Sequence, residues 1–294
     1  MHPVLTALIT PFDSTGLLDF KSLENIINHQ LDGGCGVVLF GTTGECPTIG
    51  HEERNQIMSL VNEKFSNHIS NFVIGVGCYN TLECVNNVEE AKKFGFDTFM
   101  ITCPYYNKPT QDGLKAHFSF ICKKYLENKF IIYNIPGRTG VNLLPQTLSE
   151  IYSSNINVVG IKEASGDLNQ MIIVKRLCPD ILLYSGDDSL LIPTLSIGGH
   201  GVISVISNLL PKQINSIVKL YNSNKQTEAL VEYLKYDELI RLMFIETNPV
   251  PIKFIMRVKG LIETDNVRLP LVLTSSQSIK DKIIQAFRNI FKIN

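Results

Sequence analysis

Eight short apolar runs, separated by stretches with helical periodicity, limit the fold of this chain more than any other feature. The runs are continuous rather than alternating, as expected of parallel strands that are covered on both faces. They are Val4 to Ile9, Val37 to Phe40, Phe72 to Val76, Thr98 to Thr102, Phe130 to Tyr133, Val158 to Lys162, Ile181 to Tyr184 and Val202 to Val205. This order predicts a parallel sheet.

The segments between the runs predict helices. Phe20 to Leu31 repeats apolar residues at helical spacing and stops at Gly33, and Leu82 to Phe94 stops at Gly95 in the same way, as helices with glycine at their carboxyl ends do. Further helices are predicted near His51 to Phe65, Leu114 to Leu126, Gln146 to Tyr152, Leu168 to Leu177, Ser189 to Ile197 and Pro211 to Leu220.

Eight strand–helix alternations over about 220 residues are typical of a (β/α)8 barrel. The alternative is a doubly wound open sheet, which would need a GxGxxG turn after an early strand. Neither Gly34-Cys35-Gly36 nor Gly198-Gly199-His200-Gly201 has that spacing. We therefore predict an α/β protein, a (β/α)8 TIM barrel.

Beyond Leu220 the pattern is only helical. Helices are predicted at about Thr227 to Ile245, Pro249 to Leu261 and Ser278 to Phe291. We expect a catalytic barrel over residues 1–224 and a C-terminal helical region, an appendix packed on the barrel, over residues 225–294.

Charge and cysteine content limit the partners. With 27 Lys plus Arg against 28 Asp plus Glu, the formal net charge is -1, so no overall field attracts nucleic acid or an anionic membrane. The seven cysteines contain no CxxC pair and cannot all pair, which favours a reducing cytoplasm over a disulfide framework. No apolar stretch approaches a membrane-spanning length, and the six histidines show no HxH or HExxH spacing, so no metal is expected.

Polar side chains collect at the predicted strand ends, where a barrel carries its reactive groups. Lys162 ends the sixth run. In the barrel mouth, desolvation would lower its pKa, and a neutral amine can attack a ketone to form an imine. The alternatives are a lysine that extends to solvent or one that pairs with Glu163.

Imine chemistry also needs proton transfer. Tyr133, Tyr106 and Thr43 supply hydroxyl groups on the same rim, although each could instead be a packing or turn residue. Thr42 and Thr43, between glycines, expose backbone N–H groups that suit a small carboxylate. Arg138 follows Pro136-Gly137 and suits a second carboxylate, with a surface ion pair as the alternative.

Two adjacent acids, Asp187 and Asp188, follow the seventh run. They could hold a divalent cation, but adjacent acids commonly form a turn or a helix cap, and we favour that interpretation.

Together these segments resemble the dihydrodipicolinate synthase family of the pyruvate-dependent class I aldolase superfamily. The similarity extends from Thr6 to Leu271 and rests on five signatures in order. These are GTTGE at 41–45, PYYNKPTQ at 104–111, YNIPGRTG at 133–140, GIKEASGD at 160–167 and GVISV at 201–205.

The resemblance implies condensation of pyruvate with L-aspartate 4-semialdehyde, in diaminopimelate and lysine synthesis, with no cofactor. Lys162 would be the Schiff-base lysine, and Tyr133, Thr43 and Tyr106 the proton relay, with Tyr106 reaching a neighbouring subunit of a homotetramer made of two tight dimers. Thr42 and Thr43 would hold the pyruvate carboxylate, Arg138 the semialdehyde carboxylate, and the Ile203 carbonyl would face the site. A lyase acting on a keto-deoxy sugar acid, or a silent barrel, is the alternative.

The resemblance also implies a regulatory site. In lysine-inhibited relatives the inhibitor sits at a dimer interface against residues that match Cys46, Pro47, His51, Arg54, Tyr79, Glu83 and Tyr105. Those relatives commonly carry His at the Arg54 position and Asn at the Tyr79 position. The added guanidinium and the bulkier ring predict weak or absent inhibition by L-lysine.

Overall fold

The computed structural model describes residues 1–291 and confirms the barrel. Eight strands close in the order β1-β2-β3-β4-β5-β6-β7-β8, and the registered neighbours run parallel. The strands are β1 (Val4–Ala7), β2 (Gly36–Leu39), β3 (Phe72–Gly75), β4 (Thr98–Thr102), β5 (Lys129–Asn134), β6 (Val158–Glu163), β7 (Leu182–Ser185) and β8 (Gly201–Ser204). Every predicted apolar run overlaps one of them, with ends that differ by up to two residues.

Thirteen helices are described within residues 1–291. Those up to β8 are α1 (Phe20–Asp32), α2 (His51–Phe65), α3 (Thr81–Lys93), α4 (Gln111–Lys124), α5 (Pro136–Thr139), α6 (Pro145–Ser154), α7 (Leu168–Leu177) and α8 (Leu191–Ser196). The later ones are α9 (Pro211–Asn222), α10 (Gln226–Leu234), α11 (Asp237–Leu242), α12 (Val250–Val258) and α13 (Gln277–Phe291). The C-terminal region is therefore helical, as predicted.

The prediction of a single helix over Thr227 to Ile245 is wrong. The chain turns between α10 and α11, at Lys235 and Tyr236. The Tyr236 ring is buried, and its hydroxyl donates to Glu232 Oε1 at 2.7 Å. Burial of this ring accompanies the break, which no Gly or Pro marks in the sequence.

The helix expected over Ser189 to Ile197 is also shorter than predicted. It starts as a 3-10 turn at Asp188–Leu190, before α8. Asp187 caps this turn, because its Oδ1 accepts hydrogen bonds from Ser189 N at 3.0 Å and Ser189 Oγ at 2.8 Å. The interpretation of Asp187 as a cap is confirmed.

The chain divides into two compact units, Met1–Ile57 with Ser204–Asn294, and Met58–Ile203. In the first unit Phe12 and Ile26 are fully buried, and in the second Phe99, Phe130 and Tyr184 are. The expected boundary between residues 224 and 225 stays a prediction. Candidate site residues occur in both units.

Candidate active site

Lys162 and Tyr133 are neighbours in the second unit. They are registered partners on the adjacent parallel strands β6 and β5, so their side chains project from the same face of the sheet. The Lys162 Nζ atom lies 4.3 Å from the centroid of the Tyr133 ring. Both residues are buried, with 5% and 3% of their surface exposed. The lysine therefore does not extend to solvent.

Burial is the main influence on the protonation state of the Lys162 amine. Desolvation lowers its pKa to about 8, the Arg138 charge adds to that decrease, and Asp188 opposes it. Within residues 1–291 the Lys162 amine makes no hydrogen bond or ion pair. The alternative pairing with Glu163 is wrong, because that carboxylate bonds to Ser165, Asn134 and Gln170 instead. An amine in this state is neutral in a substantial fraction of molecules near pH 8 and can act as a nucleophile.

A glycine makes room for the Lys162 side chain. A Cβ atom on Gly186 would lie 3.0 Å from Lys162 Cε and 2.5 Å from the Ala164 Cβ. Any larger residue at this position would displace the lysine stem or the β6 end, which explains the glycine after β7. Two residues further on, Asp188 is buried and provides the opposing charge.

The remaining candidates in the second unit differ in exposure. Arg138 is exposed on α5, the short helix that starts at Pro136 directly after β5. Ile203 is fully buried in β8. Tyr106 is 90% exposed and has a φ of 73°, a conformation that is rare for a residue with a side chain. The Tyr106 ring thus lies on the surface of this chain.

In the first unit, Thr42 and Thr43 occupy the turn after β2. The turn closes through Gly44 N to Gly41 O and Glu45 N to Thr42 O, at 3.1 and 3.0 Å. The backbone N–H groups of Thr42 and Thr43 bond to no group in the described part of the chain. The turn therefore keeps two adjacent donors available, as the proposed carboxylate cradle requires.

Two C-terminal residues contact this turn. Asn248 Nδ2 donates to Thr43 Oγ1 at 2.9 Å, in a buried setting. Because Thr43 Oγ1 accepts this bond, its own hydrogen is directed elsewhere. Glu45 has a φ of 54°, and its Oε1 accepts from Lys253 Nζ at 2.5 Å in a fully buried ion pair. The C-terminal region thus stabilises the turn that carries Thr43, through a hydrogen bond and an ion pair.

The predicted regulatory residues likewise fall in both units. In the first, the Arg54 guanidinium lies 4.2 Å above the Phe40 ring, while Cys46 is partly exposed and Pro47 and His51 are exposed. In the second, the Tyr79 and Tyr105 rings meet edge to face at 5.4 Å, and Glu83 is exposed at the start of α3.

Four residues near the candidates were not predicted as site residues from the sequence. Asn248 and Lys253 contact Thr43 and Glu45 from more than 200 positions away in the chain. Asn134 and Glu163 each follow a candidate, and their polarity at the end of an apolar strand is the signal that could have revealed them. A residue on the outer face of a barrel strand should be apolar unless it has a polar partner.

Comparisons with known proteins identify the family of this chain. Residues 1–289 match the Dihydrodipicolinate synthetase family. The chain belongs to this family. A 4-hydroxy-tetrahydrodipicolinate synthase of Endomicrobium trichonymphae is 42% identical over 269 residues, which is 91% of each chain.

Two solved structures are similar over nearly their whole length. The chloride-inhibited dihydrodipicolinate synthase from Acinetobacter baumannii, complexed with pyruvate, has a TM-score of 0.93 at 32% identity and 99% coverage of both chains. The synthase from Cyanidioschyzon merolae with lysine bound has a TM-score of 0.92 at 32% identity, covering 99% of this chain and 98% of the other. The chain is thus an enzyme of the class I aldolase-type lyase family.

The described residues contain neither a membrane-spanning helix nor a cluster of metal-binding side chains. No helix there is long and apolar enough to cross a bilayer. No group of three or more His, Cys, Asp or Glu side chains within residues 1–291 is arranged to hold a metal ion.

Proposed function

We propose that this enzyme condenses pyruvate with L-aspartate 4-semialdehyde to give 4-hydroxy-tetrahydrodipicolinate, in diaminopimelate and lysine synthesis. The observation that carries the proposal is the Lys162 amine, buried beside Tyr133 with a pKa lowered to about 8. The pyruvate complex of the Acinetobacter baumannii enzyme and the name of the Endomicrobium relative support the choice of substrates.

The reaction starts with the Lys162 nitrogen. It attacks C2 of pyruvate, and loss of water gives an imine. Removal of a C3 proton makes the enamine, whose carbon attacks the aldehyde. The amine of the semialdehyde then attacks the imine carbon, which closes the ring and releases Lys162.

The other candidates have assigned parts in this sequence. Tyr133 and Thr43, with Tyr106 of a neighbouring subunit, relay protons to and from the substrate oxygen and carbon. The N–H groups of Thr42 and Thr43 bind the pyruvate carboxylate, and Arg138 binds the semialdehyde carboxylate. The Ile203 carbonyl faces the substrate. The outward position of Tyr106 supports its action in a second subunit.

The shared relay requires an oligomer, which we propose to be a homotetramer of two tight dimers working in the cytoplasm. Sedimentation should show a dimer or tetramer, and a Tyr106→Phe variant should lose activity with its assembly intact. A fully active monomer would contradict the shared site.

Borohydride trapping tests the imine. Reduction in the presence of pyruvate should attach a reduced pyruvyl group to the peptide that contains Lys162. Lys253→Met is the matched control, because it removes the other buried lysine and should still be labelled wherever it folds. A label on a different peptide, or none on the wild-type enzyme, would overturn the mechanism.

Arg138 tests the second substrate against a sugar acid. Arg138→Ala should label with pyruvate and borohydride like the wild type, yet lose roughly 10²-fold or more in kcat/KM for the semialdehyde, since a charged pair contributes several kcal/mol when desolvated. Wild-type enzyme that ignores the semialdehyde but cleaves a keto-deoxy sugar acid would replace this proposal with the rival lyase.

A further inference from the structure

A carboxylate without a cation lies directly behind the Lys162–Tyr133 pair. Glu163 is fully buried, and within residues 1–291 it forms no ion pair. Its Oε1 accepts from Ser165 N at 2.7 Å, and its Oε2 accepts from Asn134 Nδ2 and Gln170 Nε2, both at 3.0 Å. A buried carboxylate costs several kcal/mol unless its oxygens are fully hydrogen-bonded, so such a site needs a reason.

The carboxylate fixes the direction of every amide around it. An ionised carboxylate only accepts, so Asn134 and Gln170 must turn their NH2 groups towards Glu163. The Asn134 oxygen then accepts from Leu143 N at 3.0 Å. Asn142 completes the set, since its Oδ1 accepts from Asn134 at 2.8 Å and Gln170 at 3.1 Å, while its NH2 donates to Gln170 Oε1 at 2.8 Å. One hydrogen-bond pattern satisfies all four side chains.

The position of this network relates it to the reacting pair. Asn134 and Glu163 are the register partners that directly follow Tyr133 and Lys162, on the opposite face of the same two strands. Backbone bonds continue past the strand ends, from Ala164 N to Asn134 O at 2.9 Å and from Gly186 N to Glu163 O at 2.7 Å. The network therefore joins the ends of β5 and β6 one residue beyond the 4.3 Å contact between Lys162 and the Tyr133 ring.

We propose that Glu163 is a positioning residue that, through Asn134, Asn142 and Gln170, holds the Lys162 amine beside Tyr133 for imine formation. This inference rests on the proposed function. Without the network, only backbone hydrogen bonds hold the ends of β5 and β6 together, and a displacement of about 1 Å in a reacting group can cost 10²-fold in rate. Glu163 does not touch the substrate.

The first test is Glu163→Gln, which keeps the shape but places an NH2 group against two donors. We expect the single-turnover rate of imine formation with pyruvate to fall by about 10- to 100-fold, with a much smaller change in the pyruvate dissociation constant. Glu150→Gln, on the exposed face of α6, is the matched control and should keep the wild-type rate.

A double variant separates positioning from simple destabilisation. Asn134→Asp alone places two carboxylates together and should be impaired. In Asn134→Asp/Glu163→Gln the carboxylate moves to the other strand, and flipping the Asn142 and Gln170 amides satisfies every side chain again. We expect the double variant to regain both the melting temperature and the imine-forming rate, to within about 10-fold of wild type.

The outcomes are distinct. A Glu163→Gln enzyme that forms the imine at the wild-type rate overturns the proposal. So does a double variant that recovers its melting temperature while its rate stays at the level of the single variants, because the network would then serve stability alone. Absence of a borohydride adduct on Lys162 in the wild-type enzyme would instead refute the proposed function beneath it.

Discussion

The two compact units each bury one lysine, and the two lysines have different partners. Burial lowers the pKa of Lys162 and of Lys253 to about 8. Lys253 donates to Glu45 Oε1 at 2.5 Å and to the Asn266 carbonyl at 2.8 Å, and it lies 4.1 Å above the Phe12 ring. Within residues 1–291 the Lys162 amine makes no hydrogen bond; it lies over the face of the Tyr133 ring, and the Asp188 charge opposes the effect of burial.

The difference separates a structural amine from a reactive one. The Glu45 carboxylate opposes the effect of burial on Lys253, and loss of the Lys253 proton would leave that buried carboxylate without its cation. In the described residues the Lys162 ammonium donates no hydrogen bond. Loss of its proton therefore breaks no hydrogen bond there. Two similarly buried lysines thus have different roles because their partners differ. The same Lys→Met substitution at each site tests this difference.

The largest effect should be on catalysis by Lys162. Lys162→Met removes the nucleophile and should reduce kcat for condensation by roughly 10⁴-fold or more, as losses of covalent machinery do. Steady-state turnover with fresh semialdehyde measures it. Lys253→Met, where folded, should retain pyruvate labelling at Lys162. Substantial turnover by Lys162→Met would show that the imine forms elsewhere or not at all.

The second effect concerns stability in the first unit. Lys253→Met leaves the Glu45 carboxylate buried without its cation and should lower the free energy of unfolding by about 3 to 5 kcal/mol. Denaturant unfolding at neutral pH checks this. The double variant Glu45→Gln/Lys253→Met should recover much of the loss, because it leaves no unpaired charge. If Lys253→Met matches the wild type in stability, the ion pair does not have the role assigned to it.

These two lysines also show how much of the site could be predicted from the sequence. Lys162 was predictable because it ends a continuous apolar strand in a chain with eight such strands, and a barrel places strand ends at its rim. Lys253 lies in a helix of ordinary amphipathic appearance, and its partner Glu45 is 208 positions away. Asn248 and Thr43 are similarly distant. Periodicity reports which face of an element is buried, but pairings between distant segments depend on the closed fold.

The third effect is a pH-dependent gain in stability from the same Lys162→Met change. A folded-state pKa of about 8, against 10.5 for an ordinary lysine, means that the unfolded chain binds more protons between these values. The wild type should therefore gain stability as pH rises from 8 to 10.5, and below pH 8 it bears the full cost of the buried charge. Lys162→Met should be more stable at pH 7 by up to roughly 3 kcal/mol.

Unfolding curves at pH 7 and pH 10 measure this gain. The stability advantage of Lys162→Met over the wild type should shrink as pH rises. Lys253→Met should have no such advantage, because it leaves the Glu45 carboxylate unpaired and removes no unpaired charge. A Lys162→Met enzyme less stable than wild type at pH 7 would show that the amine is compensated in the folded state.

The smallest effect is expected at the predicted regulatory residues, where L-lysine should inhibit weakly or not at all. The Tyr79 ring packs edge to face on Tyr105, with the Tyr79 carbonyl accepting from Asn107 Nδ2 at 3.1 Å, so the bulk added at this position lies directly against a residue of the predicted site. The Arg54 guanidinium, stacked on Phe40, adds a permanent positive charge that disfavours a ligand with two ammonium groups.

A lysine titration at limiting pyruvate measures the effect. The Arg54→His/Tyr79→Asn variant is the matched comparison, and we expect it to be inhibited more strongly than the wild type. Strong inhibition of the wild type at sub-millimolar lysine, unchanged in the double variant, would show that neither residue controls the response.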